Sequence, residues 1–392
     1  MGLVGVARLA LPVLVGLFGF FTPFTIAGAQ ISLALACVAL VADPEARAHS
    51  GTLLRRHPLM WPLLAWCLVS VLAAVCAIDV APSVEKLKKL ALLPLILLGA
   101  LPSVRARLRP ILGGLIASAA IVSAWGLVTF VRAGGGLEAR LSGIHGFYMT
   151  VAGILMVVAL LCLAELSCAF KDPHPRRITF LVLSGALVLV ALLATYTRGS
   201  WIGFAAGALW LFRRRWAVLV ALFVAASLFF ALGPPDARDR LFSVVNPNHP
   251  RNVERVLIWQ HGLGLLKERP LTGLGLVIPA DRMQGELVTK DGTYHVHSHM
   301  HDAYLQVAVS MGWPALVVFL WLLTALFRLG RAAPRGGIRN LWEEGLVAAY
   351  PATVIALAVN GLFEWNFGDS EILGLLWLLT GCVLGIATRS GD

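Results

Sequence analysis

Charge is what this sequence has least of. Asp, Glu, Lys and Arg make up 14% of its 392 residues against 58% hydrophobic, and the mean hydropathy is +0.81. A chain so short of charge cannot cover a water-facing surface, which excludes the two-domain soluble protein that its length alone would suggest. Cysteine is also scarce. The six present, Cys37, Cys67, Cys76, Cys162, Cys168 and Cys382, lie in or beside apolar runs, and the longest polar stretch has none. That excludes a disulfide framework and leaves the compartment open. Acidic residues number 21 against 32 Lys and Arg, a net charge of +11. In a membrane protein the placement of that excess says more than its size, and no nucleic-acid partner is needed to account for it.

What the chain has instead is long apolar runs. Windows of about 19 residues find twelve, near 3–21, 24–41, 58–77, 89–103, 110–132, 146–167, 178–197, 199–212, 216–233, 302–327, 344–363 and 371–388. They imply an all-α polytopic membrane protein with about twelve transmembrane helices, because a span must satisfy its own backbone hydrogen bonds. The sequence "AGAQ" at 27–30 resembles a signal cleavage site. The apolar region before it is long and only Arg8 precedes it, so the first segment reads as a retained span.

Basic residues gather in alternate loops: Arg47, Arg55 and Arg56; Arg105, Arg107 and Arg109; Lys171, Arg176 and Arg177; Arg213 to Arg215; and Arg328, Arg331, Arg335 and Arg339. By the positive-inside rule both termini are cytoplasmic and the segment 234–301 faces outward. The chain then divides into spans one to nine over 1–233, one large outer loop over 234–301, and spans ten to twelve over 302–392. Within the loop, Asn252 to Glu268 places Val253, Val256, Leu257, Leu263 and Leu266 at helical spacing. This predicts an amphipathic helix lying on the bilayer or packed on the bundle, ended by the turn residues Pro270, Gly273 and Gly275.

Several cations break the alternation. Lys86, Lys88 and Lys89 lie on the outer side before span four, Arg132 and Arg140 before span six, and Arg198 between spans seven and eight. Contact with lipid phosphates accounts for any one of them; an anionic ligand at the outer face accounts for the set. In "TYTRGSW" (195–201), Gly199 allows a tight reversal that leaves Arg198 at the interface, and Arg255 in "ERVLIW" offers a second guanidinium fork suited to phosphate oxygens. Arg251 is near enough to compete with Arg255. Cations converging on a diphosphate would stabilise it as it departs, with no protonating acid required. The outward acids, Glu254, Asp302, Glu364, Asp369 and Glu371, read individually as caps or salt bridges, though one could orient a histidine or pair with an arginine.

The most unusual stretch is "YHVHSHMHDAY" at 294–304, with histidines at 295, 297, 299 and 301. Alternation would put all four on one side of a strand, and a helix would pair His295 with His299 and His297 with His301. Either could bind zinc or copper, but no cysteine is near and the stretch reads as a loop. His301 is different. It directly precedes Asp302, where the chain enters span ten, so it is the histidine best held in place, with Asp302 and Tyr304 beside it. A neutral imidazole there can accept a proton from a sugar hydroxyl as that oxygen attacks. The other three read as a solvated run, with no bound metal or other cofactor expected.

Together, "TRGSW" (197–201), "RVLIW" (255–259) with "PLTGLG" (270–275), and "HDAYLQVAVSMGWPALVVFLWLL" (301–323) resemble the O-antigen ligase and polymerase superfamily of bacterial envelope proteins. Asp302 stands where the family pattern has Asn more often, and the likeness covers roughly 195–325. The resemblance implies an inner-membrane enzyme with a periplasmic active site. The reaction would be an inverting transfer of O-antigen from undecaprenyl diphosphate to lipid A-core, as in lipopolysaccharide biosynthesis. His301 would carry the base role and Arg198 and Arg255 the diphosphate role, with Lys88, Lys89, Arg140 and Arg251 as weaker candidates. Apolar grooves between spans would admit both lipid substrates from the bilayer. A ligase is favoured over a chain polymerase by the strength of the motifs, and over protein oligosaccharyltransferases by the lack of a large region after the last span. An anion transporter is disfavoured, since few ionisable residues fall at mid-span.

Overall fold

The computed structural model describes residues 2–232, 235–283, 285–289, 292–296, 299–332 and 338–388. The chain opens with α1 (Leu3–Phe21), α2 (Ile26–Ala42), α3 (Pro44–Arg56), α4 (Met60–Val75) and α5 (Val80–Lys86). A 3-10 turn over Leu87–Leu92 leads to the short α6 (Pro94–Gly99) and α7 (Pro102–Arg105), then to the long α8 (Leu108–Arg132), α9 (Tyr148–Ala169) and α10 (Pro175–Ala194). Next come α11 (Arg198–Phe212), α12 (Trp216–Leu232), α13 (Pro235–Phe242), α14 (Pro250–Glu268) and α15 (Ala280–Met283). An antiparallel hairpin of β1 (Gly285–Thr289) and β2 (Gly292–Val296) precedes α16 (Ala303–Ala332), α17 (Leu341–Asn360) and α18 (Ser370–Ala387).

Among the described residues, seven helices are long and apolar enough to cross a membrane, α1, α8, α9, α10, α16, α17 and α18, and an eighth if α2 and α3, bent by 98°, count as one span. This makes the chain a multi-pass membrane protein. Among the described residues, the twelve expected segments are not all long, straight helices. The segment 89–103 is a broken series, because Pro94 and Pro102 each start a new short helix. α4 and α12 are apolar but short, and α11 has only 15 residues.

Burial sorts the helices. α9 and α18 are 83% buried over their apolar windows, while α1 and α10 are 33% and 28% buried. α9 is apolar all round, from Val151 through Leu161, as a helix enclosed on every side must be. The outer helices keep large apolar side chains exposed, among them Val38, Trp61, Leu68 and Phe223, as lipid contact requires. α11 packs on α17 through a stripe of small residues. A Cβ on Gly199 would come within 2.6 Å of Asn360 Oδ1, on Gly203 within 2.6 Å of the Ala356 carbonyl, and on Gly207 within 2.9 Å of the Ala352 carbonyl. Gly199 is therefore a packing residue inside the helix. The reversal before it is made by Tyr196, with φ 51.

At the far end of the bundle, two arginines are neutralised in place. Arg105 Nε and Nη2 donate to Glu343 Oε1 and Oε2 at 3.0 and 2.8 Å, and Arg177 Nη2 reaches Glu165 Oε2 at 2.8 Å.

Candidate active site at one end of the bundle

α16 is broken near its start. Gly312 has φ 82 and ψ 172, and the loop 270–275 docks into the break. Trp313 N–H donates to the Pro270 carbonyl (2.9 Å), Leu274 N–H to Val309 O (2.9 Å) and Gly275 N–H to Ser310 O (3.0 Å). The "PLTGLG" turn thus satisfies groups that the break frees from the helix ladder. Only glycine fits at the junction: a Cβ on Gly312 would collide with the Leu271 carbonyl, and one on Gly273 with the backbone of Ser310 and Met311. α14 is anchored by the same device, burying Ile258, Gly262, Leu265 and Leu266 on this part of the bundle. Of the apolar positions expected to face inward, Val256 and Leu263 are exposed. The buried face is turned from the expected one because Trp259 and Gly262 meet the chain at Met300.

This framework fixes His301 from both sides. Met300 N–H donates to Gln306 Oε1 (2.8 Å), Trp259 Nε1 donates to the Met300 carbonyl (3.0 Å), and Ala303 N–H donates to Gly361 O (2.6 Å). Between these anchors His301 adopts φ 48, a left-handed conformation that non-glycine residues hold only when their surroundings impose it.

His301 lines a cavity of about 290 Å³. Five arginines share that cavity, Arg140, Arg198, Arg240, Arg251 and Arg255, with Glu254 and Glu364 as the carboxylates and Tyr148 on the wall. Glu364 joins the two chemistries: one oxygen lies 3.4 Å from His301 Nδ1 and the other accepts from Arg255 Nη2 at 3.1 Å. A carboxylate at Nδ1 makes that nitrogen the donor, which leaves proton acceptance to Nε2. Arg198 is buried, and neutral groups aim its guanidinium: Nη1 donates to Ser243 Oγ (2.9 Å) and Nη2 to Asn252 Oδ1 (3.0 Å). Asn252 is itself held by donating to the Ser243 carbonyl at 2.7 Å. Arg240 donates to the Tyr196 carbonyl at 3.3 Å, and burial together with Arg198, Arg140 and Arg251 pushes it down to about 9. Arg140 lies 4.6 Å from the Tyr148 ring centre, and burial lowers it too. Five guanidinium groups, of which Arg198 and Arg240 are buried, Arg140 and Arg255 half-buried and Arg251 exposed, against two carboxylates leave a positive excess in the cavity that suits an anion.

Arg198, Arg255, Arg140 and Arg251 thus come together with His301, whereas the two lysines do not join them. Lys88 is exposed and pairs with Glu85 at 2.6 Å. Lys89 donates to the Gly368 carbonyl and lines a second, larger cavity. Asp302 caps α16 by accepting from Leu305 N–H (2.8 Å), and the Tyr304 hydroxyl donates to the Ala358 carbonyl (2.8 Å). His299 is half-buried, its ring 4.1 Å from that of His301, rather than part of a solvated run. His297 and the side chain of His295 lie outside the described residues. Among the described residues no three His, Cys, Asp or Glu side chains gather as metal ligands. Arg240 is the charged cavity residue the sequence did not single out; in "DARDRLF" it is one charge among several, and only the fold turns it inward.

Residues 181–320 match the family model of the O-antigen ligases. The matched stretch runs from within α10 into α16 and carries Arg198, Arg240, Arg251, Arg255 and His301, while Arg140 and Glu364 fall outside it. No curated protein matches the chain.

Proposed function

We propose that this chain, a member of the O-antigen ligase/polymerase superfamily, is an O-antigen ligase. It transfers a glycan from undecaprenyl diphosphate to lipid A-core with inversion, at the periplasmic face of the bacterial inner membrane. In this reading the segment 234–301 and the arginine cavity face the periplasm and both termini the cytoplasm. The alternation of Lys and Arg between loops supports that orientation.

His301 Nε2 takes the proton of the acceptor hydroxyl as that oxygen forms its bond to the anomeric carbon. The bond from that carbon to the diphosphate breaks, and its electron pair stays on the leaving oxygen. Glu364 holds His301 through Nδ1 and stabilises the imidazolium that forms. Arg198, Arg255, Arg240, Arg251 and Arg140 take up the charge developing on the diphosphate, so the leaving group departs without a proton. No step calls on a metal ion. The observation that carries this reading is the positive excess in the same small cavity as the histidine–carboxylate pair.

The test is transfer in detergent from an undecaprenyl diphosphate-linked glycan to lipid A-core, run with a strong chelator. Wild type and the double His295/His297→Ala variant, which keeps His299 against His301, are expected to transfer. His301→Ala is expected to lose about 10²–10⁴-fold in rate. Loss of transfer with the chelator would restore a metal role. Growth of the glycan on its own carrier, with none on lipid A-core, would make the enzyme a polymerase.

A further inference from the structure

α11 and α16 both run from the arginine cavity to the opposite end of the bundle. α11 begins at Arg198 and α16 just after His301, and the 15 residues of α11 rise about 22 Å. At that opposite end a second group of arginines collects, all of them exposed: Arg213, Arg214 and Arg215 after α11, and Arg328 and Arg331 near the end of α16. One indole ties the two sets together. The Trp210 ring packs on Phe327 with centroids 5.1 Å apart, while the Arg213 guanidinium lies 4.0 Å and that of Arg331 5.9 Å from the Trp210 ring centre. Arg213 also donates through Nη1 to the Trp210 carbonyl at 2.7 Å. Contacts of this kind fix a guanidinium in place without cancelling its charge.

The sequence around these arginines supplies no acid: neither Asp nor Glu occurs from residue 173 to 235 or from 303 to 342. Glu165, Glu343 and Glu344, also at this end, pair with Arg177, Arg105 and Lys171. The positive-inside rule explains why cations collect on one side of a membrane, but not why two helices distant in sequence bring theirs to one tryptophan. Beside the arginines the surface is apolar and open. Leu209 on α11, Trp216 and Val220 on α12, and Val317, Leu320 and Trp321 on α16 are all exposed. An anion that satisfies both surfaces carries its own hydrocarbon. We propose that the Trp210 cluster is a binding site for an anionic phospholipid of the adjoining leaflet, its phosphate held by Arg213 and Arg331 and its chains lying along α11, α12 and α16. The site lies apart from the arginine cavity and does not depend on the transferase reading.

Lipid binding to the full chain in neutral detergent tests it, counted by native mass spectrometry with dioleoylphosphatidylglycerol against phosphatidylcholine of the same chains. Wild type is expected to bind phosphatidylglycerol at least about fivefold more tightly. The double variant Arg213→Gln/Arg331→Gln should bring the two lipids to within about twofold of each other, whereas Arg213→Lys/Arg331→Lys should keep most of the preference. If the double Gln variant does not fold, Arg214→Gln/Arg328→Gln, at exposed positions, is expected to reduce the preference by at least about twofold. Arg198→Ala, at the other end of α11, should leave it unchanged. Equal binding of the two lipids by wild type would overturn the proposal, as would a preference that survives both Gln variants. Loss of the preference in Arg198→Ala but not in the Gln variants would seat the lipid in the arginine cavity and overturn it as well.

Discussion

The two ends of the helical bundle treat buried arginine in opposite ways. At one end the buried Arg105 lies against Glu343 and the partly buried Arg177 against Glu165, each guanidinium matched to a carboxylate within 3.0 Å. At the other, Arg198 and Arg240 are also buried, yet their hydrogen-bond partners are neutral: Ser243, Asn252 and the Tyr196 carbonyl. A protein that only needed buried arginines for packing would neutralise them at both ends. On the proposed reading, the difference separates charges that serve the fold from charges held for an anionic substrate. Ser243 and Asn252 aim Arg198 without cancelling it, as a preorganised anion site requires.

This contrast can be broken from either side. The largest effect is expected where the charge is structural. Glu343→Gln leaves Arg105 buried without its partner and should cost about 3–5 kcal/mol of stability, read as a lower thermal midpoint in detergent, with no recovery on adding donor lipid. The site arginines should behave the other way. Arg198→Ala should lower the transfer rate by roughly 10²–10³-fold while leaving the folded state at least as stable, because it removes one of several mutually repelling cations. Arg198→Lys should recover only part of that rate, since a point charge cannot reproduce the fork held by Ser243 and Asn252. Next is Glu364→Gln, which keeps the shape but removes the charge at His301 Nδ1. A loss of about 10–100-fold in the transfer rate with little change in the donor KM would fit a positioning role. The smallest effect belongs to the solvent-exposed pair Arg282–Glu268, 3.2 Å apart, where Glu268→Ala should change stability by less than about 1 kcal/mol.

How much of this was legible in the sequence follows from what each feature depends on. His301, Arg198 and Arg255 could be picked out because each stands at the end of an apolar run or in a short motif, where local order already constrains it. Glu364 could be named only as one acid among five, because its contact with Arg255 spans 109 positions and no local pattern encodes that. Arg240 had no signal at all. Lys88 and Lys89 group with the arginines by sidedness and, more weakly, by the family resemblance, yet a shared side does not mean a shared cavity. The broken segment 89–103 was readable in principle, since Pro94 and Pro102 interrupt it, but hydropathy windows average over such breaks. In sequence, Gly199 reads as the turn that Tyr196 makes, because a glycine next to an expected reversal looks the same whether it bends or packs.

The central claim is that the arginine cavity holds its positive excess for a diphosphate. Thermal unfolding of the detergent-solubilised protein with and without inorganic diphosphate tests it most directly, using wild type, Arg198→Ala and Glu268→Ala. A ligand that binds only the folded state at 100 times its Kd stabilises by about 2.7 kcal/mol, so a midpoint shift is measurable. The account predicts that diphosphate raises the midpoint of wild type and of Glu268→Ala alike and leaves that of Arg198→Ala unmoved. Equal shifts in all three, or no shift in wild type, would contradict it.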